Sequence, residues 1–450
     1  MKKVFCIFIS VLMIVGLFSG CAGEPGPLRI CIDLDQFGNT PMSVVLEDLK
    51  WWVEKATGLE KENIVFEIIP DDDAERDTAI DRIRTEIMSG EGPDVFIVQC
   101  DSWYKTLLFQ MPEKAIELDL FLPLDEYIET AEYAEWDKFT QSVMAAGRDE
   151  EGQQLVPLTY LLPVAMYRAS DVSHTPQNMT WDEMRNTEEL QDAAARLGAG
   201  LTSRGLEYDF PIEYLLGELA DYQKEELLFT EEELLEHTKE ILEYTKDYHE
   251  NKLYETPYKT KTCLGVRFNW HGAVAYGVDN DDQNGSGGRL NSLTEFDRLT
   301  LVPSYSDDGG CTAMITSFAA VNRNTRRPEE AFKVLDMLMM TDRQANGTIF
   351  HQFVYHKNDY AGMPMHEEVM SSKYEMRGTQ GVNKWFSLDN ENFSTVCAVR
   401  DQITAAQFSG SLNTALENMM ADCYGAYRNG EEYTPIVHET YAALRQMIAE

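Results

Sequence analysis

The sequence predicts an α/β fold with more than one domain. From Leu28 onward, short apolar runs alternate with longer segments whose apolar residues recur at helical spacing. Strands separated by amphipathic helices indicate right-handed βαβ units on a mostly parallel sheet. The 450-residue chain is long enough for two domains or one large bilobal body, and its 44% hydrophobic and 11% aromatic residues are ample for hydrophobic cores.

Five elements follow one another in the first part of the chain. They are the strand LRICIDLD, the helix PMSVVLEDLKWWVEKATG ending at Gly58, the strand NIVFEIIP, the helix DAERDTAIDRIRTEIMSG closed by Gly90, and the strand PDVFIV. Trp51 and Trp52 lie in the first helix, and we expect both in the core. Asp94 stands between a proline and the third strand, where we expect a structural role. Because ligands bind beyond the carboxyl ends of strands in such sheets, residues after the strands are the first candidates for a site.

The remainder of the chain is predicted to be mostly helical, but it also contains the apolar, β-prone run GQQLVPLTYLLPVAMYRAS and two further strands. Residues 181–262 are acidic and have one apolar helical face. LTLVPSY and TAMITSFAAVN predict strands, and RRPEEAFKVLDMLMM predicts an amphipathic helix. The tail after residue 341 is predicted to be mostly helical, with GMPMHEEV as a break.

The N-terminus has the pattern of a lipoprotein secretion signal. Two lysines form a charged start, and the apolar run that follows is too short to span a bilayer comfortably but suits a signal core. Small residues then lead directly into Cys21, as in the lipobox of bacterial lipoproteins. We therefore expect a signal peptide over residues 1–20, lipidation at Cys21 and a tether over 21–27, which would hold the protein on the cell membrane, facing outside the cytoplasm. Ordinary cleavage nearby, giving a free secreted protein, is the alternative.

Composition and motifs argue against several classes of function. The formal net charge of -39 repels nucleic acid and anionic lipid headgroups. The cysteines after Cys21 are scattered without a CxxC pair, so they indicate neither a zinc cluster nor a redox motif, while disulfides and free buried thiols both stay open. The sequence contains no HExxH, no GxSxG and no phosphate-binding loop, so we expect neither an enzyme nor a cofactor or metal.

The loop DNDDQNGSGG at 279–288 resembles the first part of an EF-hand-type calcium loop. Counted from Asn280, its twelfth position is Asn291, where a bidentate Glu is needed. A solvated turn is therefore the preferred interpretation of this loop.

Five segments, in this order, carry a family resemblance. They are MSGEGPDVFIV (88–98), GQQLVPLTYLLPVAMYR (152–168), FNWHGAVAYGVDN (268–280), ITSFAAVNRNTRRPEEAFKVLDMLMM (315–340) and GMPMHEEV (362–369). With them the chain resembles the extracellular solute-binding proteins of ABC importers, in particular the large carbohydrate-binding group. That group commonly has a Tyr-Asn pair where this chain has Met166 and Tyr167.

The resemblance implies a two-lobed, periplasmic-binding-protein-like α/β fold with a ligand cleft between lobes joined by a multi-strand hinge. The N-lobe would comprise residues 28–158, with 298–340 returning to it, and the C-lobe residues 159–297 and 341–450. A protein of this kind is expected to be a monomer that captures a sugar or oligosaccharide by lobe closure and delivers it to ABC transporter permease subunits. It would not be an enzyme, since other subunits hydrolyse ATP.

The candidate site residues are those that suit a sugar. A sugar site needs aromatic faces for the C–H side of the ring and carboxylate or amide groups for its hydroxyls. Residues of both kinds follow the predicted strands, lie at the predicted crossing between lobes or stand in loop-like stretches. The predicted ligand contacts are Asp35, Phe37, Gln99, Asp101, Trp103, Tyr160, Trp270 and Trp385. Helix capping by the two aspartates and inward packing of the aromatic residues are the competing interpretations.

Three other functions stay open from the sequence. The acidic surface suits a cationic solute, so a peptide or polyamine receptor of the same fold is the first alternative. A surface glycan hydrolase would share the aromatics and carboxylates, and 77 acidic residues are too many for a catalytic pair to be chosen from sequence. A surface adhesion or scaffold lipoprotein is the third, and it would not close around a small molecule.

Overall fold

The structure is a computed structural model that describes most of the first third of the chain and separate parts of the rest. The described residues are 25–34, 42–100, 106–161, 164–168, 212–244, 299–303, 311–341, 344, 363–368, 397 and 399–449. No helix within these ranges is long and apolar enough to span a bilayer.

The first part of the chain forms the parallel βαβ unit that the sequence predicts. Its elements are β1 (Leu28–Asp33), α1 (Met42–Thr57), β2 (Ile64–Ile68), α2 (Asp73–Met88) and β3 (Val95–Gln99). β1 lies between β2 and β3 and is parallel to both. Gly58 and Gly90, just after the two helices, have φ of +73° and +78°. A residue with a side chain rarely adopts this left-handed conformation, which is why glycine suits both helix ends.

The large sheet also has an antiparallel part built from distant segments. Its strands are β6 (Leu155–Leu161), β11 (Cys311–Val321), β12 (Met363–Pro364) and β13 (Ile403–Phe408). β11 is antiparallel to β3 and β6 and parallel to β13, while β12 pairs with β6 at the edge. The prediction of a mostly parallel sheet is therefore wrong for the strands around β11. β11 is far from β3 and β6 in sequence and pairs antiparallel with both, and antiparallel pairing needs no crossover helix. The strand β13 was not predicted either.

Smaller elements complete the described part. Two short antiparallel hairpins pair β4 (Arg148–Asp149) with β5 (Gly152–Gln153) and β8 (Ala220–Asp221) with β9 (Glu226–Leu227). A third antiparallel pair joins two segments that are distant in sequence, β7 (Val164–Arg168) and β10 (Leu299–Pro303). The remaining helices are α3 (Pro112–Glu117), α4 (Asp125–Ile128), α5 (Gln141–Met144), α6 (Glu213–Leu216), α7 (Glu231–Tyr244), α8 (Pro328–Leu338), α9 (Ser411–Asn429) and α10 (Thr434–Ala449). Single turns of 3-10 helix span Lys61–Asn63, Trp136–Lys138 and Ala145–Gly147.

The strand pairs bear on the predicted lobes. β10 lies in the segment assigned to the N-lobe, yet it pairs with β7, which the same boundaries assign to the C-lobe. β11, later in the segment, joins the large sheet. The lobe boundaries stay a prediction, and this pairing favours a return to the N-lobe that begins after Pro303.

Two hydrophobic cores are present among the described residues. The first surrounds the large sheet and includes α1, α2 and α8. The second is built by α6, α7, α9 and α10 around side chains such as Leu234, Leu416 and Leu444. Trp52 packs against the first core, but Trp51 is 44% exposed, so the expectation of a buried Trp51 is wrong. Successive residues of a helix point about 100° apart, and on α1 Leu49 and Val53 occupy the inward face instead.

A buried carboxylate attaches α8 to the segment that precedes α5. Asp336 of α8 is 1% exposed. Its Oδ2 accepts from the backbone N–H groups of Glu132 and Tyr133 at 2.8 and 2.9 Å, and its Oδ1 accepts from Ala134 N and Trp136 Nε1 at 3.0 and 2.9 Å. One side chain thus satisfies four hydrogen-bond donors. Three of them are backbone N–H groups of a loop that takes part in no strand pairing.

We expect Asp336→Asn to lower the free energy of unfolding by about 2–4 kcal/mol, because the amide nitrogen would face donors and leave some of them unpaired. Urea unfolding followed by circular dichroism measures the change. The control is Asp137→Asn, at an exposed position, which should cost no more than about 0.5 kcal/mol. Equal losses in the two variants would contradict the assigned role of Asp336.

Candidate functional site

The carboxyl ends of β1 and β3 lie side by side in the large sheet. Asp33 of β1 is in register with Val98 of β3. The described chain stops after β1 at residue 34 and after β3 at residue 100. Of the predicted contacts, Asp35, Phe37, Asp101 and Trp103 follow these two points in sequence and lie outside the described residues. The structure therefore brings together the two strand ends from which the predicted binding segments depart.

A buried ion pair holds this edge of the sheet together. Arg76 of α2 lies with its Nη2 2.8 and 3.0 Å from the two carboxylate oxygens of Asp33, and both side chains are 2% exposed. Arg76 Nε also donates to the carbonyl oxygen of Thr106 at 2.8 Å. The end of β1, the first turns of α2 and the point where the chain returns after residues 101–105 are thereby joined by one side chain.

Two opposing electrostatic effects act on the Asp33 carboxyl of this ion pair. Burial raises the pKa of the Asp33 carboxyl, and the charge and hydrogen bond of Arg76 offset only part of that rise. A buried carboxylate without such a partner would be strongly unfavourable. The sequence alone could not identify this pair, because Asp33 and Arg76 are 43 positions apart.

A row of polar side chains crosses the sheet at the same edge, and we call Gln99, Ser317, Thr159 and Thr316 the polar row. Ser317 of β11 is in register with Gln99 of β3 on one side and with Thr159 of β6 on the other. Thr159 Oγ1 lies 2.5 Å from Ser317 Oγ and 2.8 Å from Thr316 Oγ1. Only Thr159 is more than slightly exposed. The row marks the border between the apolar core and the edge where the binding segments begin.

The prediction from sequence missed three members of this row. Thr159, Thr316 and Ser317 stand in strands that are otherwise almost entirely apolar and buried. The signal that could have found them was the presence of adjacent hydroxyl residues inside TAMITSFAAVN and of one inside VPLTYLL. Their partners are 157 and 158 positions away, so the pairing itself came only with the fold.

Two of the predicted ligand contacts lie in the described part, and both are buried. Gln99 is 4% exposed and Tyr160 is 0% exposed. The Tyr160 hydroxyl lies 3.4 Å from Thr140 Oγ1, and its burial raises the pKa of the phenol. A ligand contact by either residue stays a prediction, since the described contacts of Tyr160 are with the core.

The remaining site predictions fall outside the described residues. They are Trp270, Trp385, lipidation at Cys21 and the loop 279–288. Asp94, predicted as structural, is confirmed in that role. Its Oδ2 accepts from Arg29 N at 2.8 Å and its Oδ1 from Thr325 Oγ1 at 2.5 Å.

Three strands meet where the chain leaves and re-enters the large sheet, and we call β6, β11 and β13 the hinge strands. β6 leads within two residues to β7, and β10, the partner of β7, leads through residues 304–310 to β11. β13 runs beside the first half of β11 and then leads to α9, a helix of the second core. Several adjacent strands therefore connect the large sheet with the rest of the chain.

Solved structures resemble this chain over nearly its whole length. One is a protein from Alicyclobacillus acidocaldarius described as extracellular solute-binding protein family 1. It matches with a TM-score of 0.56 at 14% sequence identity, over 95% of this chain and 100% of that one. The galacto-N-biose/lacto-N-biose I-binding protein of an ABC transporter from Bifidobacterium longum, in complex with lacto-N-biose, matches with 0.53 at 13%, over 95% and 98%. An ABC substrate-binding protein from Listeria monocytogenes, in complex with cycloalternan, matches with 0.51 at 12%, over 95% and 100%.

The chain has the two-lobed α/β fold of solute-binding proteins. This confirms the predicted fold class, and the similar structures are binding proteins rather than enzymes. No protein-family model and no curated protein matches the sequence. The likeness therefore rests on the fold.

We expect Arg76→Met to lower the free energy of unfolding by about 3–5 kcal/mol, because it leaves the Asp33 carboxylate buried without its cation. The loss should shrink at low pH, where Asp33 is protonated, and grow as the pH rises. Urea unfolding at several pH values measures both effects.

The double variant Asp33→Asn with Arg76→Met should recover part of this loss. Arg82→Met, which breaks ion pairs of a 48% exposed arginine, is the control and should cost less than about 1 kcal/mol. If the double variant is no more stable than Arg76→Met alone, the unpaired carboxylate is not the cause.

Proposed function

We propose that this chain is the substrate-binding component of an ABC importer and that its ligand is a sugar or oligosaccharide. The observation that carries the proposal is the full-length likeness to binding proteins, including ones solved with lacto-N-biose and with cycloalternan. The likeness covers 95% of this chain in both cases, so it involves both lobes and the hinge. The predicted aromatic and carboxylate residues suit the same class of ligand.

The proposed mechanism is capture by lobe closure. A ligand that contacts both lobes favours the closed state, because only that state makes all of its contacts. The segments after β1 and β3 would supply the N-lobe half of the site through Asp35, Phe37, Asp101 and Trp103. The hinge strands would carry the rotation, and the buried pair of Asp33 and Arg76 would keep the N-lobe half rigid during it.

Further contacts are proposed from the other parts of the chain. Trp270 and Trp385 would offer aromatic faces from the C-lobe, and Gln99 and Tyr160 would contribute from the base of the cleft and the crossing. The N-lobe is proposed as residues 28–158 with the return within 298–340. No catalytic role is assigned to any of these residues.

Location and partners follow from the same proposal. The lipobox favours cleavage after residue 20, a lipid on Cys21 and attachment to the outer side of the cell membrane. The loaded protein, acting as a monomer, would dock on the permease subunits of the importer. Extracellular and periplasmic location of the similar structures agrees with this placement.

The ligand class is tested by thermal unfolding of the chain from Leu28 onward with mono- and oligosaccharides, peptides and polyamines. We expect one group of sugars to raise the melting temperature, because a ligand that binds only the native state at 100 times its Kd adds about 2.7 kcal/mol of stability. Trp103→Ala should weaken that binding about tenfold or more by removing a stacking face. Trp51→Ala is the matched control, since Trp51 is exposed on α1 and is not a predicted contact.

The alternatives give different outcomes in the same assay. A shift with a peptide or polyamine and none with any sugar would keep the receptor and refute the carbohydrate assignment. Release of shorter products from a glycan would indicate a hydrolase. No response to any small molecule would favour an adhesion or scaffold protein.

We expect Cys21→Ser to move the protein from the membrane fraction to the soluble fraction, because the variant cannot accept a lipid. Fractionation and metabolic labelling with an alkyne fatty acid measure the two effects. Cys397→Ser is the control and should leave the protein labelled and membrane-bound. A Cys21→Ser protein that stays lipid-labelled would refute anchoring at this residue.

A further inference from the structure

The two hydrophobic cores meet at a junction whose floor is the end of β13. Two neighbouring residues of this strand bind its two sides. Phe408 N donates to Glu113 Oε1 of α3 at 2.8 Å, and Gln407 Oε1 accepts from Leu219 N at 3.2 Å. α3 contributes to the first core and Leu219 to the second. We call α3 and the segment 218–223 the two walls of the junction.

The walls are separated by a gap that carries negative charge on both sides. A cavity of about 290 Å³ lies between them. Arg148, the one cation that lines it among the described residues, is paired with Asp125 at 2.8 Å. The lining carboxylates, two from each wall, are Glu113, Glu117, Glu218 and Asp221. Like charges from the two cores therefore line one gap.

These carboxylates influence one another across the gap. Burial raises the pKa of the Glu113 carboxyl to about 7, and the negative charge of Glu218 adds to the rise. Burial also raises the pKa of Glu117, and the charge of Asp221 on the opposite wall contributes. Since each pair joins one wall to the other, ionisation on one wall disfavours ionisation on the other.

Ionisation of Glu113 is unfavourable while the walls are together. Its Oε1 accepts from Phe408 N, but its Oε2 is buried and has no hydrogen-bond partner among the described residues. A neutral carboxylic acid tolerates such surroundings much better than a carboxylate, which needs hydrogen-bond donors or water. Separation of the walls would admit water to the carboxylate. Loss of the proton and separation of the walls therefore favour each other.

Other contacts oppose this separation. Lys114 Nζ of α3 donates to the carbonyl oxygen of Ile448 in the last turn of α10 at 2.6 Å, where a cation is favoured by the helix dipole. Ser411 N at the start of α9 donates to the carbonyl oxygen of Gln110 at 2.9 Å. The relative position of the cores thus depends on a balance between these bonds and the repulsion of the carboxylates.

We propose that the junction is a pH-sensitive joint between the two cores, in which protonation of Glu113 brings the walls together and its ionisation separates them about β13. The proposal adds a form of regulation to the proposed function, because closure of the lobes would change the same arrangement of the cores. It concerns the motion of the lobes and not the contacts that a ligand makes.

The direction of the response follows from the two states of Glu113. Its pKa is about 7 with the walls together, and in water it would be near the ordinary value of 4.5. Between these values, the ratio of separated to closed molecules should rise by up to about tenfold per pH unit, and it should level off above pH 7. The other titratable or charged groups that line the cavity are Glu117, Glu218, Asp221, Arg148 and Tyr222.

The test measures the distance between the cores in the full chain without any ligand. Donor and acceptor dyes are attached to p-azidophenylalanine in place of Glu62 and Glu439, which are exposed and lie on the first-core side and on α10. Single-molecule fluorescence energy transfer is recorded from pH 5 to pH 8. We expect the population with separated cores to grow up to pH 7. Glu113→Gln should reduce the change to less than about twofold per pH unit, because an amide does not ionise.

Two further variants separate the causes. Glu218→Gln removes one of the like charges from the gap, so the response should level off at a lower pH than in the parent. Glu236→Gln removes an exposed charge on α7 and is the matched control, which should respond as the parent does. Circular dichroism over the same pH range verifies that each variant is folded. Because Glu218 is exposed, its variant keeps the comparison available even if Glu113→Gln does not fold.

Two results would overturn the proposal. A distribution of distances in the parent that is the same at pH 5 and pH 8 would refute the joint. A pH response that Glu113→Gln retains in full would refute the role of Glu113. Since no ligand is present, these results are independent of the thermal-unfolding assay with sugars. A chain that binds no sugar would refute the proposed function and leave the joint standing, and a sugar receptor without a pH response would do the reverse.

Discussion

The strand β11 is the element on which the rest of the described fold depends. All eleven of its residues are buried, so each backbone N–H and C=O needs a partner from a neighbouring strand. β6 provides these partners along one side, while β3 and β13 share the other side between them. The βαβ unit through β3, the strand β6 and the late strand β13 are therefore all hydrogen-bonded to β11. A shift in the register of β11 would break the pairing with all three strands.

The edge of the sheet combines a rigid base with the predicted ligand-binding segments. Asp33 and Arg76 connect the end of β1 to α2 and to Thr106, where the chain returns after β3. A buried ion pair contributes little net stability over an apolar pair of the same size, but its geometry is demanding. We therefore interpret it as a device that positions the two strand ends relative to each other. The polar row continues this arrangement across β11 to β6.

The proposed sugar site would not depend on the acidity of the protein. A neutral sugar in the cleft is recognised by stacking and by hydrogen bonds to its hydroxyls, so the net charge of -39 has little influence on its affinity.

The sequence by itself determined the elements whose signals are local. The alternation of apolar runs and helical spacing predicted β1, α1, β2, α2 and β3, and glycine marked both helix ends. Apolar β-rich patterns also predicted β10 and β11, and the resemblance of five segments predicted the two-lobed fold class. These features depend on residues that are close together in the sequence, which is why they can be predicted without a structure.

Only the tertiary structure decided which side chains meet. β13 is a strand because it pairs with β11, Trp51 is exposed because Leu49 and Val53 face the core, and Tyr160 is buried beside Thr140. The pairs Asp33–Arg76 and Thr159–Ser317 join residues 43 and 158 positions apart. No local pattern encodes such contacts, because they arise when distant elements pack against each other. For the same reason, the residues after β1 and β3 could be proposed from sequence as a site, but the buried groups that hold their strand ends could not.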